Sequence, residues 1–225
     1  MTQIHTSRAS DDPFIDRVWQ TQNISDGTYL ATPDGSWDLI MGVGRDGSRI
    51  ILLTGQATEP AYIPYEGGTS SVVISFSAGA YLPHIAGKKL INSGEFLPII
   101  DEHHFSLAGH IFALPTYENA EELVSTMVQA GILKNDDIVD GVLRGKPKAA
   151  SERAVQRHFK ATTGITHKKL QQIRKAQHAI KLLKQGKNPA EAAMDAGYSD
   201  QPHLAKSLKR IMHAKPSDID DIHKL

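Results

Sequence analysis

The chain has 225 residues, 40% hydrophobic and 22% charged, with 25 Lys/Arg balancing 25 Asp/Glu, which bounds it to one large globular domain or two small ones. It contains no cysteine, which excludes a disulfide framework, a thiolate metal site and a cysteine nucleophile. No apolar run approaches the roughly 18 residues of a membrane span, and the opening MTQIHTSRASDDP lacks the apolar centre of a signal peptide. A cytoplasmic protein with no membrane partner is expected.

The zero net charge hides a segregation. Residues 1–140 hold 7 Lys/Arg against 18 Asp/Glu, a net of −11, and residues 141–225 hold 18 against 7, a net of +11. A basic half of this kind suits a polyanion, most often nucleic acid, although a Lys-rich solvated face has the same composition.

The first half reads as short strands. SWDLIMGV and RIILLTG flank an Asp46-Gly47 turn, a hairpin signal, and SSVVISF is a third strand. Gly and Pro at Pro33, Gly35, Gly67, Gly68, Gly79 and Pro83 argue against long helices there. YENAEELVSTMVQAG then reads as a helix with Asn119 as N-cap, Glu121 and Glu122 in its first turn and Gly131 as its stop. Beyond Asp136 every period is helical: DDIVDGVLRG, a turn at KPKAA, a helix capped by Ser151 and stopped by Gly164, a long helix ending at Gly186 with Leu170, Ile173, Ala176 or Gln177, Ile180 and Leu183 or Lys184 on one stripe, a small-residue helix entered through Pro189, and a last helix capped by Asp200. Composition, charge and period shift together near 132–136. The expected fold class is therefore α+β, with an acidic β-rich domain over 1–132 and a basic all-helical domain over 136–225.

The two capped helices superpose at an offset of 49 residues, Ser151 on Asp200, Val155 on Leu204, Arg157 on Lys206, Phe159 on Leu208 and Lys160 on Lys209. Each has a cap, an apolar pair at i and i+4, outward cations and a short preceding helix, which is the anatomy of a helix-turn-helix. The N-terminal outward side chains of such a helix reach base edges in the major groove. Here these are Arg153, Gln156 and Arg157 on the first, and Gln201, His203 and Lys206 on the second, with Pro202 tolerated in its first turn. Arg bonds guanine bidentately and Gln does the same to adenine, whereas Pro202 has no N–H to donate. Lys160, Lys168, Lys169, Lys209 and Arg210 lie further out and suit phosphate contacts.

SERAVQRHFKATTG and AEAAMDAGYSDQPHLAKSLKRIMHAKPSDI together resemble the DNA-binding domain of the AraC/XylS transcriptional regulators, with the Gly-Tyr turn and terminal Pro-Ser of that family's signature. The resemblance implies two helix-turn-helix units, joined by a linker helix over about 166–185, that enter successive major grooves of a double-stranded operator. It carries base reading onto Arg153, Gln156 and Arg157, then Pro202, His203 and Lys206. The chain departs from the family at VLRGKPKAAS, where a small-residue helix and Gly turn are usual, so the first unit's supporting helix is expected to be shorter or differently angled. Arg17, Trp19, the PDGSWDLI stretch with Pro33, Asp34, Gly35 and Asp38, and GAYLPHIAG look more distantly like a cupin-like sensor domain. That resemblance implies an unnamed small-molecule effector or a homodimer, and RNA polymerase as a further partner.

Other candidate chemistry is thinner. Trp19, Trp37, Tyr62 and Tyr81 could line an effector pocket or be simple core. His103, His104 and His110 sit near Asp101 and Glu102, but adjacent histidines on one strand point to opposite sides, and no metal or cofactor is expected. Asp34 and Asp38 could pair, yet Pro33-Asp34-Gly35 is a typical turn. GVGRDG lacks the spacing of a dinucleotide loop. The reading is a sequence-specific, effector-linked transcriptional regulator and not an enzyme. Its rivals are a cupin-like metalloenzyme fused to a DNA-binding domain and a non-specific architectural DNA binder.

Overall fold

A computed structural model describes residues 3–146, 150–214 and 216. The expected turn at KPKAA runs through residues 147–149, and the terminal Pro-Ser includes Ser217, so both lie in part outside the described residues. Strands β1 (Gln3–Arg8), β2 (Ile15–Asn23), β4 (Trp37–Val43), β5 (Arg49–Thr54), β7 (Ser70–Phe76) and β9 (Gly94–Leu97) form one antiparallel sheet in the order β1-β2-β7-β4-β5-β9. The hairpin β4–β5 turns at Gly47 (φ 80°) and pairs Leu39 with Leu53 and Val43 with Arg49. Two-stranded pairs are made by β3 (Gly27–Ala31) with β6 (Ala61–Tyr65), β8 (Ala80–Tyr81) with β12 (Lys134–Asn135), and β10 (His104–Leu107) with β11 (His110–Ala113).

Alternation with period two puts Val18, Leu39, Leu53, Ile74 and Phe76 on one face of the sheet, all fully buried. Leu123, Val124 and Met127 of helix α1 (Ala120–Gln129) share that core, as do Phe105 and Phe112 of the β10–β11 hairpin. Arg8 on β1 donates to Glu121 at the start of α1 (2.8 Å), and Ser10 adds a second donor (2.7 Å). Asn119 precedes α1 as expected, but its side chain does not cap the helix. It is engaged backwards instead, accepting from the Thr116 N–H (2.7 Å) and donating to the Leu114 carbonyl (3.0 Å).

The helices that follow are α2 (Asp137–Leu143), α3 (Glu152–Thr162), α4 (His167–Lys184), α5 (Pro189–Asp195) and α6 (Gln201–Ile211), so the α+β class holds. Contacts divide the chain differently from its composition. The described residues of Met1–Gly27, Ser36–Gln56 and Tyr65–Thr166 form one compact unit, and those of Thr28–Gly35, Ala57–Pro64 and His167–Leu225 a second. The shift at 132–136 thus does not coincide with the packing boundary. Charge and polarity describe surfaces, whereas the buried Ile132, Leu133 and Val139 and the side chain of Asp136 continue one packed unit through α2 into α3. In the second unit, Gln177 of α4 donates to the Pro33 carbonyl and Leu170 lies against Gly35, whose φ of 82° only glycine adopts readily.

Candidate nucleic-acid interface

Helix α3 starts where Ser151, in extended backbone, accepts the Ala154 N–H with its hydroxyl (3.2 Å). It stops at Thr163, whose hydroxyl donates to the Phe159 carbonyl (2.7 Å), followed by Gly164 at φ 77°. Phe159 is fully buried and Thr162 buried, while Arg153, Gln156, Arg157 and Lys160 are all exposed. Their spacing of i, i+3, i+4 and i+7 makes them one stripe. Gln156 reaches back to Glu152 (3.5 Å), an acidic neighbour of the stripe that suits the amino group of cytosine.

A carboxylate holds this helix in place. Asp136 caps α2 with one oxygen, accepting from the Ile138 and Val139 N–H groups at 3.0 and 3.1 Å. Its second oxygen accepts from Thr162 Oγ1 at 2.8 Å and lies 2.8 Å from His158 Nδ1, both on α3. Burial pushes the Asp136 carboxyl up, but the bonds from His158, Val139 and Thr162 outweigh it and hold the group below its ordinary range. On the other side of the α3 terminus, the short turn of 3-10 helix at Gly87–Lys89 comes into backbone contact. A Cβ at Gly87 would stand 2.7 Å from the Thr162 carbonyl oxygen and 2.8 Å from the Gly164 nitrogen.

In the second unit, α5 enters through Asn188, which caps Ala190 and Glu191, with Pro189 in the first turn. Asp200 caps α6, accepting the His203 N–H at 2.7 Å. Leu204, Leu208 and Ile211 are buried, and Gln201, Pro202, His203, Lys206, Lys209 and Arg210 are exposed. The turn before α6 is fastened by Tyr198, 6% exposed. Its hydroxyl lies 3.1 Å from Ser207 Oγ, and Lys175 Nζ of α4 sits 4.3 Å from its ring centroid. Burial pushes the Tyr198 phenol up. The His203 ring stands edge-on to Tyr198 (5.2 Å between centroids), with Nδ1 3.0 Å from Ser199 Oγ, so this base-reading candidate is held in one orientation. Tyr198, Lys175, Asp136 and His158 carry no sequence signal for these roles beyond the Gly-Tyr pair.

Arg153, Arg157, Lys160, Lys168, Lys206, Lys209 and Arg210 make no ion pair with a carboxylate among the described residues. Each is therefore available to a phosphate or base. Lys168 is exposed, whereas Lys169 is half-buried and already engaged.

The other candidates fall apart in space. Trp37 and Tyr81 line one small cavity, but Trp19 projects from the opposite face of the sheet, its indole donating to Ser75 Oγ (3.3 Å), and Tyr62 on β6 is 76% exposed. The four aromatics therefore do not make one pocket, because strand alternation separates Trp19 from the core face and β6 leaves Tyr62 in solvent. His104 lies against Asp101 (2.8 Å) and His110 against the Ala108 carbonyl (3.3 Å). No group of three or more His, Cys, Asp or Glu able to hold a metal ion occurs among the described residues. Asp34 immediately precedes Gly35 (φ 82°), and Asp38 lies on β4 opposite Ser75. No helix among the described residues is long and apolar enough to cross a membrane.

Residues 149–221 match the helix-turn-helix domain family. No curated protein matches the chain. Among solved structures it is similar to that of ToxT from Vibrio cholerae at 1.65 Å resolution, with 8% identity, 98% of this chain and 99% of that one covered, and a TM-score of 0.44. It is similar also to wild-type ToxT from the same organism bound to an unsaturated fatty acid, with 10% identity, coverage of 100% and 95%, and a TM-score of 0.37.

Proposed function

We propose that the chain is a DNA-binding transcriptional regulator whose residues 149–221, which match the helix-turn-helix domain family, are an AraC-type reader, and that it reads two successive major grooves of its operator, one with α3 and one with α6. The observation that carries this reading is the repetition of one device. Both helices are capped by a side chain at the residue before them, both bury an aromatic or aliphatic residue at the same repeat position, and both turn an unpaired Arg/Lys stripe outward. A single amphipathic basic helix is common. Two copies offset by 49 residues around one linker helix are what successive half-site reading requires.

Arg153, Gln156 and Arg157 form the first base-reading set, and Gln201, Pro202, His203 and Lys206 the second. Lys160, Lys168, Lys169, Lys209 and Arg210 hold phosphates. The β-rich part acts as the effector-responsive sensor, a role supported by the backbone contact of Gly87 with the end of α3 and by the Asp136 link. A second copy of the chain and RNA polymerase complete the set of partners, and the protein works in the cytoplasm.

Selection of bound sequences from a random DNA pool at physiological salt tests the reading. Enrichment of two blocks about 10 base pairs apart is expected. Tight, salt-sensitive binding with no enriched motif would replace it with the architectural reading, since specific regulators prefer their site by roughly 10³-fold or more.

A further inference from the structure

The strongest feature left unused by DNA reading is a cavity of about 30 Å³ at the C-terminal end of α3. Trp37, Gln56, Tyr81, Ile85 and Leu90 wall it on the sheet side, and Thr162 and Thr163 close it from α3. One water needs roughly 10–15 Å³, so the space accommodates a group of a few heavy atoms.

Gln56 is the group that makes it a site. Its residue is 2% exposed, and both its amide nitrogen and its amide oxygen lack a hydrogen-bond partner among the described residues. Its backbone is occupied normally, the carbonyl accepting from the Asn92 N–H at 3.1 Å. Buried amides are rarely left with donor and acceptor both unused, and a group so left is explained by something it binds. Three further polar side chains of the wall are engaged within the protein. The Trp37 indole donates to the Ala80 carbonyl (2.8 Å), Thr162 to Asp136, and Thr163 to the Phe159 and Ile165 carbonyls. Among the described residues no charged side chain lines the cavity.

We propose that this cavity binds the amide-like head of a small neutral ligand, a primary amide, lactam or urea, in a paired donor–acceptor contact with Gln56 against the Trp37 wall. A charged carboxylate or ammonium would be desolvated there with no counter-charge. Because Thr162 and Thr163 are the last turn and cap of α3, the ligand touches a reading helix directly. Resting on the two-groove reading, its occupancy shifts how α3 meets the operator, through contacts that differ between the two positions of the helix.

The test uses the full-length chain with 2-pyrrolidone and acetamide as probes and acetate as control. Side-chain ¹⁵N NMR follows the Gln56 amide and the Trp37 indole, one of only two indoles in the chain. Saturable shifts of both with the amide probes, none with acetate, and loss of the response in Gln56→Leu are expected. Ile85→Phe, which fills the space and keeps Gln56, should block the probe as well and covers the case in which Gln56→Leu does not fold. No saturable shift in the wild-type chain would mean an ordered water only and would overturn the site. An unaltered response in a folded Gln56→Leu would do the same. Operator affinity, measured separately, should change several-fold at saturating probe. Saturable probe binding with operator affinity unmoved overturns the coupling to α3, and probe binding by a chain that binds no DNA refutes the regulator reading while leaving the site intact.

Discussion

His158 of α3 lies 2.8 Å from the same carboxylate, Asp136, that caps α2. One side chain therefore both starts a supporting helix and fixes a reading helix. Asp136→Ala should cost about 0.5–2 kcal/mol for the lost cap alone. In selection experiments it should degrade the sequence block read by α3 and spare the block read by α6. Equal weakening of both blocks would mean that Asp136 matters only for global stability. The carboxyl is held below its ordinary range, so its contribution is complete above the unfolded value of about 4 and is lost as pH falls through the lower folded value. Acid should loosen α3 in that window, read as loss of amide protection in α2 and α3.

Glu121 gives a second acid-linked prediction. Hydrogen bonds from Arg8, followed by those from Ser10, outweigh burial and pull its carboxyl down to about 2 from 4.5. The folded value is below the unfolded one, so this contribution is present above about 4.5 and disappears as pH drops towards 2. Arg8→Ala should return the Glu121 titration, followed by carboxyl NMR, most of the way to 4.5. A titration still near 2 in the variant would shift the cause to Ser10 and the helix start.

The parts of this molecule that were legible in its sequence are those fixed by neighbours a few residues apart. Ser151, Asp200, Gly131, Gly164 and the Asp46-Gly47 hairpin turn announce themselves because caps and turns depend on local backbone geometry. The outward stripes of α3 and α6 followed from the helical period. Asn119 misled because the same side chain that can cap a helix can serve the preceding turn, and here the turn takes it. What joins distant segments left no trace. Asp136 meets α3 across 22 and 26 residues, Gln177 meets Pro33 across 144, and Gln56 sits in the unremarkable stretch GQATEP. The shift of charge and composition at 132–136 likewise differs from the division of contacts, since charge segregation is written along the chain and packing is not.

Gly87 offers a way to disturb α3 without touching DNA. Gly87→Ala places a methyl under 3 Å from two backbone atoms at the α3 terminus, neither of which can rotate away. A loss of about 1–3 kcal/mol is expected from overpacking. The variant should also alter the preference of the α3 block while phosphate-driven, non-specific affinity stays near wild type. A thermal shift with an unchanged selected motif would show that the contact is structural only.

Arg157 and Lys209 separate sequence reading from phosphate grip. Both are exposed and unpaired, but Arg157 lies on the stripe after the Ser151 cap, whereas Lys209 is in the last turn of α6. Arg157→Ala should cost about 1–3 kcal/mol at the selected site and relax preference at one base pair, because a bidentate contact to guanine discriminates as well as binds. Lys209→Ala should weaken all sequences alike and reduce the slope of log affinity against log salt by about one, the counterion released at one phosphate. Measured across a salt series on selected and random DNA, the two variants should move different parameters. If Arg157→Ala instead weakens every sequence equally and flattens the salt slope, α3 grips the backbone rather than the bases, and reading must rest on α6 alone.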